Sequence, residues 1–217
     1  MLVNSPEPPE AISENKRKRR SFRSFSRILE SLVSGDHEVS TVGDITKLIA
    51  NRSLSSLLAF FAALNLIPLP PGTSVILGIP IVIIAAQLMF LQKRIWMPKF
   101  ISERAVKPET LDNLVTRILP WTLKIEKFLK PRYWPFKRYQ GDQIVGIITF
   151  ILGIVVVFPI PLGNAPPAFA IFVIGLANSQ KDGLWLTFGI VAGILSIMLA
   201  AGILVGGFVA VDHLLGS

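Results

Sequence analysis

Asn65-Leu66-Ile67-Pro68-Leu69-Pro70-Pro71-Gly72-Thr73 interrupts one apolar run, and Phe158-Pro159-Ile160-Pro161-Leu162-Gly163-Asn164 interrupts another. Proline lacks an amide donor and its ring blocks the preceding turn, so neither motif can be a helix interior. Each motif therefore divides its run into two helical arms. Shifting the chain by 91 residues lays one motif on the other: Pro68 meets Pro159, Pro70 meets Pro161, Gly72 meets Gly163 and Thr73 meets Asn164. The same shift sets Gln87 against Asn178, two amides in apolar surroundings. Matches of such restricted chemistry at one offset predict an internal repeat.

Residues 53–92, 143–180 and 183–211 contain no Lys, Arg, Asp or Glu over 40, 38 and 29 positions. Charged residues make up 17% of the 217, against about 25% in an ordinary soluble domain. A fold of this size has no core that hides three such blocks. The expectation is an all-α polytopic membrane protein rather than a soluble enzyme. It has two related Pro/Gly-broken helical hairpins, an internal and inverted repeat, followed by a long C-terminal transmembrane helix. The arms beside the breaks have 15 to 19 residues, roughly 22 to 28 Å of helix at about 1.5 Å per residue. A hydrocarbon core is about 30 Å thick. Two arrangements follow: re-entrant hairpins with tips inside the membrane, or pairs of short spanning helices with the turn at the far surface. The short arms favour the first.

The rest of the chain divides by charge. Residues 1–24 carry the run Lys16-Arg17-Lys18-Arg19-Arg20 with no apolar segment of the signal-peptide kind, and read as a disordered basic cytoplasmic tail. Residues 25–52 read as an amphipathic interfacial helix, with Val42, Ile45, Leu48 and Ile49 on one face. Residues 53–92 form the first membrane hairpin and 143–180 the second. Between them, 93–142 holds twelve Lys/Arg and five Asp/Glu, which the positive-inside rule places in the cytoplasm. Within it, 111–129 is amphipathic: Leu114, Ile118, Trp121, Leu123, Ile125 and Phe128 alternate with Arg117, Lys124 and Lys127. This helix is expected along the headgroups. Residues 183–211 read as one transmembrane helix, whose Gly189-x3-Gly193 and Gly202-x3-Gly206 spacings suit close contact within the chain or between subunits.

The formal net charge of +8 points to anionic lipid headgroups as partner, not to nucleic acid, because no reading domain surrounds the basic run. The chain has no cysteine and two histidines, His37 and His213, so no metal or other cofactor is expected. No phosphate-binding loop, nucleophile elbow or paired-carboxylate constellation is present. The chain is therefore expected not to be an enzyme.

Broken helices turn partial charges toward the membrane centre, and two of them meeting there make the usual transporter site. The expected substrate-binding residues are Asn65, Thr73, Gln87, Asn164 and Asn178. Pro68, Pro70, Pro71, Gly72, Pro159, Pro161 and Gly163 shape the breaks. Thr73 and Asn164 fall at N-cap positions, so capping alone is the competing account. For Gln87 and Asn178 it is an interhelical hydrogen bond. Lys181-Asp182 reads as a surface pair. No charged residue lies within a block, so no intramembrane proton relay is expected. A chain this small encloses little alone, which predicts a homodimer.

The first motif, with Gln87-Leu88 and Trp96-Met97-Pro98, resembles the ExoD family of bacterial exopolysaccharide-synthesis proteins. So do the second motif with Lys181-Asp182-Gly183-Leu184, and Leu119-Pro120-Trp121. The resemblance covers roughly residues 40–210 and implies a bacterial inner-membrane protein linked to exopolysaccharide production. The expected function is transporter-like, with a non-transporting scaffold of polysaccharide synthesis as the alternative. The layout is also similar to re-entrant inverted-repeat proteins such as the DedA family, although this chain lacks their membrane-embedded acid.

Overall fold

A computed structural model of the chain describes residues 25–33, 41–50, 53–67, 73–92, 95–105, 108–137, 139–158 and 164–215. The basic tail, and Pro68, Pro70, Pro71, Gly72, Pro159, Pro161 and Gly163 of the two motifs, lie outside the described residues. The described residues are helical, joined by two isolated β-bridges and no strand.

The uncharged blocks form the centre. Helix α3 (Leu54–Asn65) starts where the Ser53 side chain accepts the Ser55 N–H at 3.2 Å, and it buries Ser55 through Leu64. Helix α4 (Thr73–Met89) follows the first break and carries Pro80 in its interior. Helix α7 (Gln140–Val157) ends at Phe158, and α8 (Ala165–Gln180) opens after the second break. Pro166 and Pro167 occupy the first turn of α8, where a missing N–H costs nothing. Helix α9 (Gly183–Leu215) is a single element of 33 residues.

Packing pairs the first arm of each hairpin with the second arm of the other. Helix α3 lies on α8, and α4 lies on α7. Small residues let these backbones touch. A Cβ on Gly146 would run into the backbone of Leu88 and Met89. On Gly175 it would meet the Ser55 carbonyl at 2.9 Å and the Ala59 Cβ at 3.1 Å. Gly78 faces Val157, and Gly153 faces Ile81 and Val82. These contacts make both pairs antiparallel and bring both breaks to one end of the bundle. At the other end Lys181, in the left-handed region (φ 56°), turns the chain from α8 into α9.

Helix α9 then returns along α8. Gly189 faces Ile174 and Val173, and Gly193 faces Leu152 and Ala170. Beyond Ala200 the described side chains of α9 are exposed, and a Cβ on Gly202 or Gly206 meets nothing within 4 Å. The two glycine pairs thus differ: the first packs within the chain and the second packs on nothing. Exposed apolar side chains form stripes on α7 (Ile147, Ile151, Ile154, Phe158) and on α9 (Leu184, Phe188, Val191, Leu195, Met198). Gln140–Val157 and Gly183–Gly206 are long and apolar enough to cross a membrane by length and composition; Leu54–Asn65 and Leu77–Met89 are apolar but shorter.

The charged segments wrap this centre. Residues 25–52 hold two helices rather than one, α1 (Phe25–Val33) and α2 (Val42–Ala50). Thr41 and Asp44 cap each other at the start of α2 (Oγ1 to Oδ2, 2.7 Å), and the Val42 N–H reaches the Arg104 carbonyl beyond the short helix α5 (Lys99–Ser102). Helix α6 (Pro108–Phe128) packs on α1 and touches α3. Its apolar residues split between two faces. Leu111, Val115, Ile118 and Ile125 are buried, whereas Trp121 and Phe128 remain 64% and 63% exposed. The face that helical periodicity marks for lipid is thus partly covered by the chain's own first helix. Trp134, in the connector after α6, is half-buried.

The Gly146 crossing leaves no room for a side chain. Gly146→Val is expected to cost about 1–3 kcal/mol through overpacking, while Gly202→Val disturbs no contact within the chain and is expected to cost far less. Thermal unfolding of the purified full chain checks both.

Candidate functional site

The bundle has two polar ends of opposite character. At the break end, the Asn65 Nδ2 donates to the Phe61 carbonyl at 3.0 Å, which returns the amide to its own helix. The Asn65 Oδ1 is buried with no hydrogen-bond partner. Asn164 sits at the N-cap position of α8 but has helical backbone angles (φ −84°, ψ −24°) and makes no side-chain cap bond. Capping needs an extended residue whose side chain folds over the first turn, so the expected cap does not form. The Asn164 Oδ1 is likewise buried and without a partner. Thr73 opens α4 as its first helical residue, one place past the cap position expected of it.

Antiparallel packing of α3 on α8 sets Asn65 and Asn164 about one helical turn apart along the bundle axis. Leu66 and Ile67, which follow Asn65, help to line a cavity of about 510 Å³ together with residues that include Arg117, Trp121, Phe169 and Phe172; Asn65 and Asn164 are not among its lining residues. Leu66 and Ile67 directly precede the first Pro/Gly motif. Arg117 comes from α6, some 50 positions further along, which is why the motifs gave no hint of it.

The turn end is saturated with partners. The Asn178 Nδ2 donates to the Ser55 Oγ at 2.6 Å and to the Asp142 Oδ1 at 2.9 Å. The Lys181 Nζ donates to the Asp142 Oδ1 at 3.1 Å and to the Asn178 Oδ1 at 3.2 Å, and stands 4.6 Å from the Trp134 ring centroid. Asn178 thereby ties α3, α7 and α8 together, which is the interhelical bond its burial calls for. Lys181 and Asp182 do not pair with each other. Lys181 pairs with Asp142, and the fully buried Asp182 faces Arg132 at 3.6 Å. The Asp182 Oδ1 also accepts the Leu184 and Trp185 N–H groups, capping α9, and its Oδ2 accepts the Lys130 N–H at 2.8 Å. Lys181-Asp182 is therefore a fastening rather than a surface pair.

Gln87 makes a different bond from its counterpart. Its Oε1 accepts the Trp96 N–H and its Nε2 donates to the Trp96 carbonyl, both at 2.7 Å. This two-pronged clasp folds the connector after α4 back onto the helix. Gln87 lies 14 residues from Thr73, and Asn178 lies 14 from Asn164, roughly 21 Å of helix in each case. The five residues expected in one site therefore divide. Asn65, Asn164 and the backbone of Thr73 are at the break end, and Gln87 and Asn178 are structural at the other. Ser55, Asp142, Trp134 and Arg132 escaped sequence reasoning because their partners are distant in the chain. Asp142, the last acid before the 38-residue uncharged run, was the available signal.

Among the described residues, no group of three His, Asp or Glu could hold a metal ion. The break end instead offers two buried carbonyl oxygens that can accept hydrogen bonds from hydroxyl, ammonium or water. With an apolar cavity and one guanidinium alongside, it has the makings of a binding site.

An all-helical protein of two broken helix pairs, fastened at one end and polar but unsatisfied at the other, is the class these features define. The chain matches the family model described as exopolysaccharide synthesis, ExoD, over residues 25–202, and it belongs to that family. Its relatives include an uncharacterised protein, slr1875, of Synechocystis sp., 29% identical over 155 residues, or 68% of this chain and 73% of the relative. Protein ExoD of Rhizobium meliloti is 26% identical over 175 residues, or 78% of this chain and 72% of that protein. No solved structure matches the chain.

The two polar ends should respond differently to mutation. Asp182→Ala removes a buried carboxylate that caps a helix and faces a cation, and is expected to cost about 3 kcal/mol. Lys181→Met loses only a partly exposed pair and is expected to cost under about 1 kcal/mol. Equilibrium denaturation of the two variants checks the contrast.

Proposed function

We propose that the protein acts in exopolysaccharide synthesis as a transporter-like protein of the bacterial inner membrane, with its site where the two broken hairpins meet. The association with exopolysaccharide synthesis comes with the family. The observation that carries the rest is the convergence of both breaks at one end of the bundle, beside two buried amide oxygens without partners. Unsatisfied polar groups at membrane depth persist where they line a protein cavity or a water path. Their acceptor chemistry suits a hydroxyl-rich solute or headgroup.

In this reading the exposed stripes of α7 and α9 face lipid, and the basic loop starts from the cytoplasmic side, with α6 reaching from the turn end to the cavity at the break end. The hairpins are re-entrant. The breaks lie opposite the region of α9 near Ala200, yet α9 stays uncharged to Val211, roughly 16 Å of helix further on. An apolar helix that overshoots the breaks by that much keeps them inside the apolar layer. The unpacked end of α9, with Gly202 and Gly206, is available to a second copy in a homodimer.

A duplication is supported by the packing register, but not the inverted one expected from the sequence: both hairpins run the same way along the bundle, with both breaks at one end, so the two-fold that relates them lies along the bundle. The 91-residue offset turns the Ser55 and Asn178 pair into positions 146 and 87, and Gly146 indeed faces Leu88 and Met89. The same exchange turns Gly153 against Ile81 into positions 62 and 172, and Ala63 and Phe172 line one cavity. Two-fold-related repeats require this exchange of contacts.

The chain contains no cysteine, so accessibility scanning needs no background removal. Single cysteines at Leu66 and Asn164 are expected to label from the same side as one at Glu103 in the basic loop. Labelling of both only from the opposite side overturns the re-entrant arrangement, and recovery of the chain in the soluble fraction overturns the membrane placement.

A further inference from the structure

The cavity beside the breaks combines two chemistries that few ligands share. Most of its wall is apolar, with Leu66, Ile67, Trp121, Phe169 and Phe172 among its lining residues. Arg117 is the one charged residue among those that line it. Arg117 makes no ion pair among the described residues, unlike Arg132 with Asp182 and Lys181 with Asp142. A guanidinium stays ionised in a protein, and its planar fork matches the oxygens of phosphate. The volume of about 510 Å³ falls within the roughly 300–1,000 Å³ of ligand sites.

A free inorganic anion would leave the aromatic wall unused. A neutral lipid would fill the wall and leave the cation without a counter-charge. We propose that this cavity binds a membrane-resident amphiphile bearing a phosphate, with the phosphate on Arg117 and the apolar chain between Trp121, Phe169 and Phe172. The inference rests on the membrane placement above, because such a ligand enters from a bilayer. It names the class of molecule: a headgroup joined through phosphate to a hydrocarbon chain.

Calorimetric titration of the full chain in uncharged maltoside micelles tests it, with dodecyl phosphate, dodecanol and inorganic phosphate as separate probes. Dodecyl phosphate is expected to bind saturably, with the other two binding at least about tenfold more weakly. Arg117→Gln, at an exposed position, is expected to weaken dodecyl phosphate about tenfold, with Arg117→Lys between it and the parent. Leu66→Trp, which fills the slot and leaves Arg117 in place, should abolish binding. Equal affinity in Arg117→Gln, or inorganic phosphate or dodecanol binding as tightly as dodecyl phosphate, overturns the proposal. Fractionation is read separately: a membrane-bound chain that ignores dodecyl phosphate loses this site alone, whereas a soluble chain loses the membrane placement.

Discussion

Helix backbones lying directly against one another are the constraint on which this molecule depends. Gly146 rests on the backbone of Leu88 and Met89, and Gly175 on the Ser55 carbonyl. A side chain at either crossing would push the helices apart. Wider spacing would withdraw the Ser55 Oγ and the Asp142 Oδ1 from the Asn178 Nδ2, which bonds both. It would also pull the breaks apart, because each break joins one helix of the α3–α8 pair to one of the α4–α7 pair. Close packing, the fastened end and the converging breaks are thus one geometric fact viewed at three heights along the bundle.

The ends differ because their connections differ. After α8 the chain turns at once through Lys181 and Asp182 into α9, so the amide of Asn178 is enclosed by α3 and α7. After α4 the chain leaves for a long basic segment, so Gln87 binds the departing strand of backbone at Trp96 instead. In the proposed duplication these amides occupy equivalent positions, yet each serves the connection beside it. At the break end two amide oxygens, of Asn65 and Asn164, remain without a hydrogen-bond partner. Polar groups that a fold buries and does not use are costly, and a ligand that satisfies them recovers that cost.

Helix α6 brings charge to the break end. Helix α6 passes from the fastened end, where Lys130 meets Asp182, to the cavity, where Arg117 and Trp121 stand. It carries the cation that neither broken hairpin possesses. The cavity is therefore lined from parts of the chain that composition treats as unrelated, Leu66, Ile67, Phe169 and Phe172 from the hairpins and Arg117 and Trp121 from α6.

The helical class, the positions of both breaks and the candidate repeat were legible in the sequence, because proline chemistry and hydrophobic runs act within a few residues. The runs themselves also marked the helices long and apolar enough to span a membrane. The sequence placed Asn65 with Asn164, but it also placed Gln87 and Asn178 with them, and the partners Ser55 and Arg117 were not legible. Asn178 with Ser55, and Arg117 with Leu66, are separated by 123 and 51 positions, and only the antiparallel crossings and the course of α6 bring them together. Likewise the two Gly-x3-Gly pairs of α9 read identically, yet one is buried on α8 and the other is bare. Local chemistry decides where a helix must stop, and the packing of helices decides what stands beside the place where it stopped.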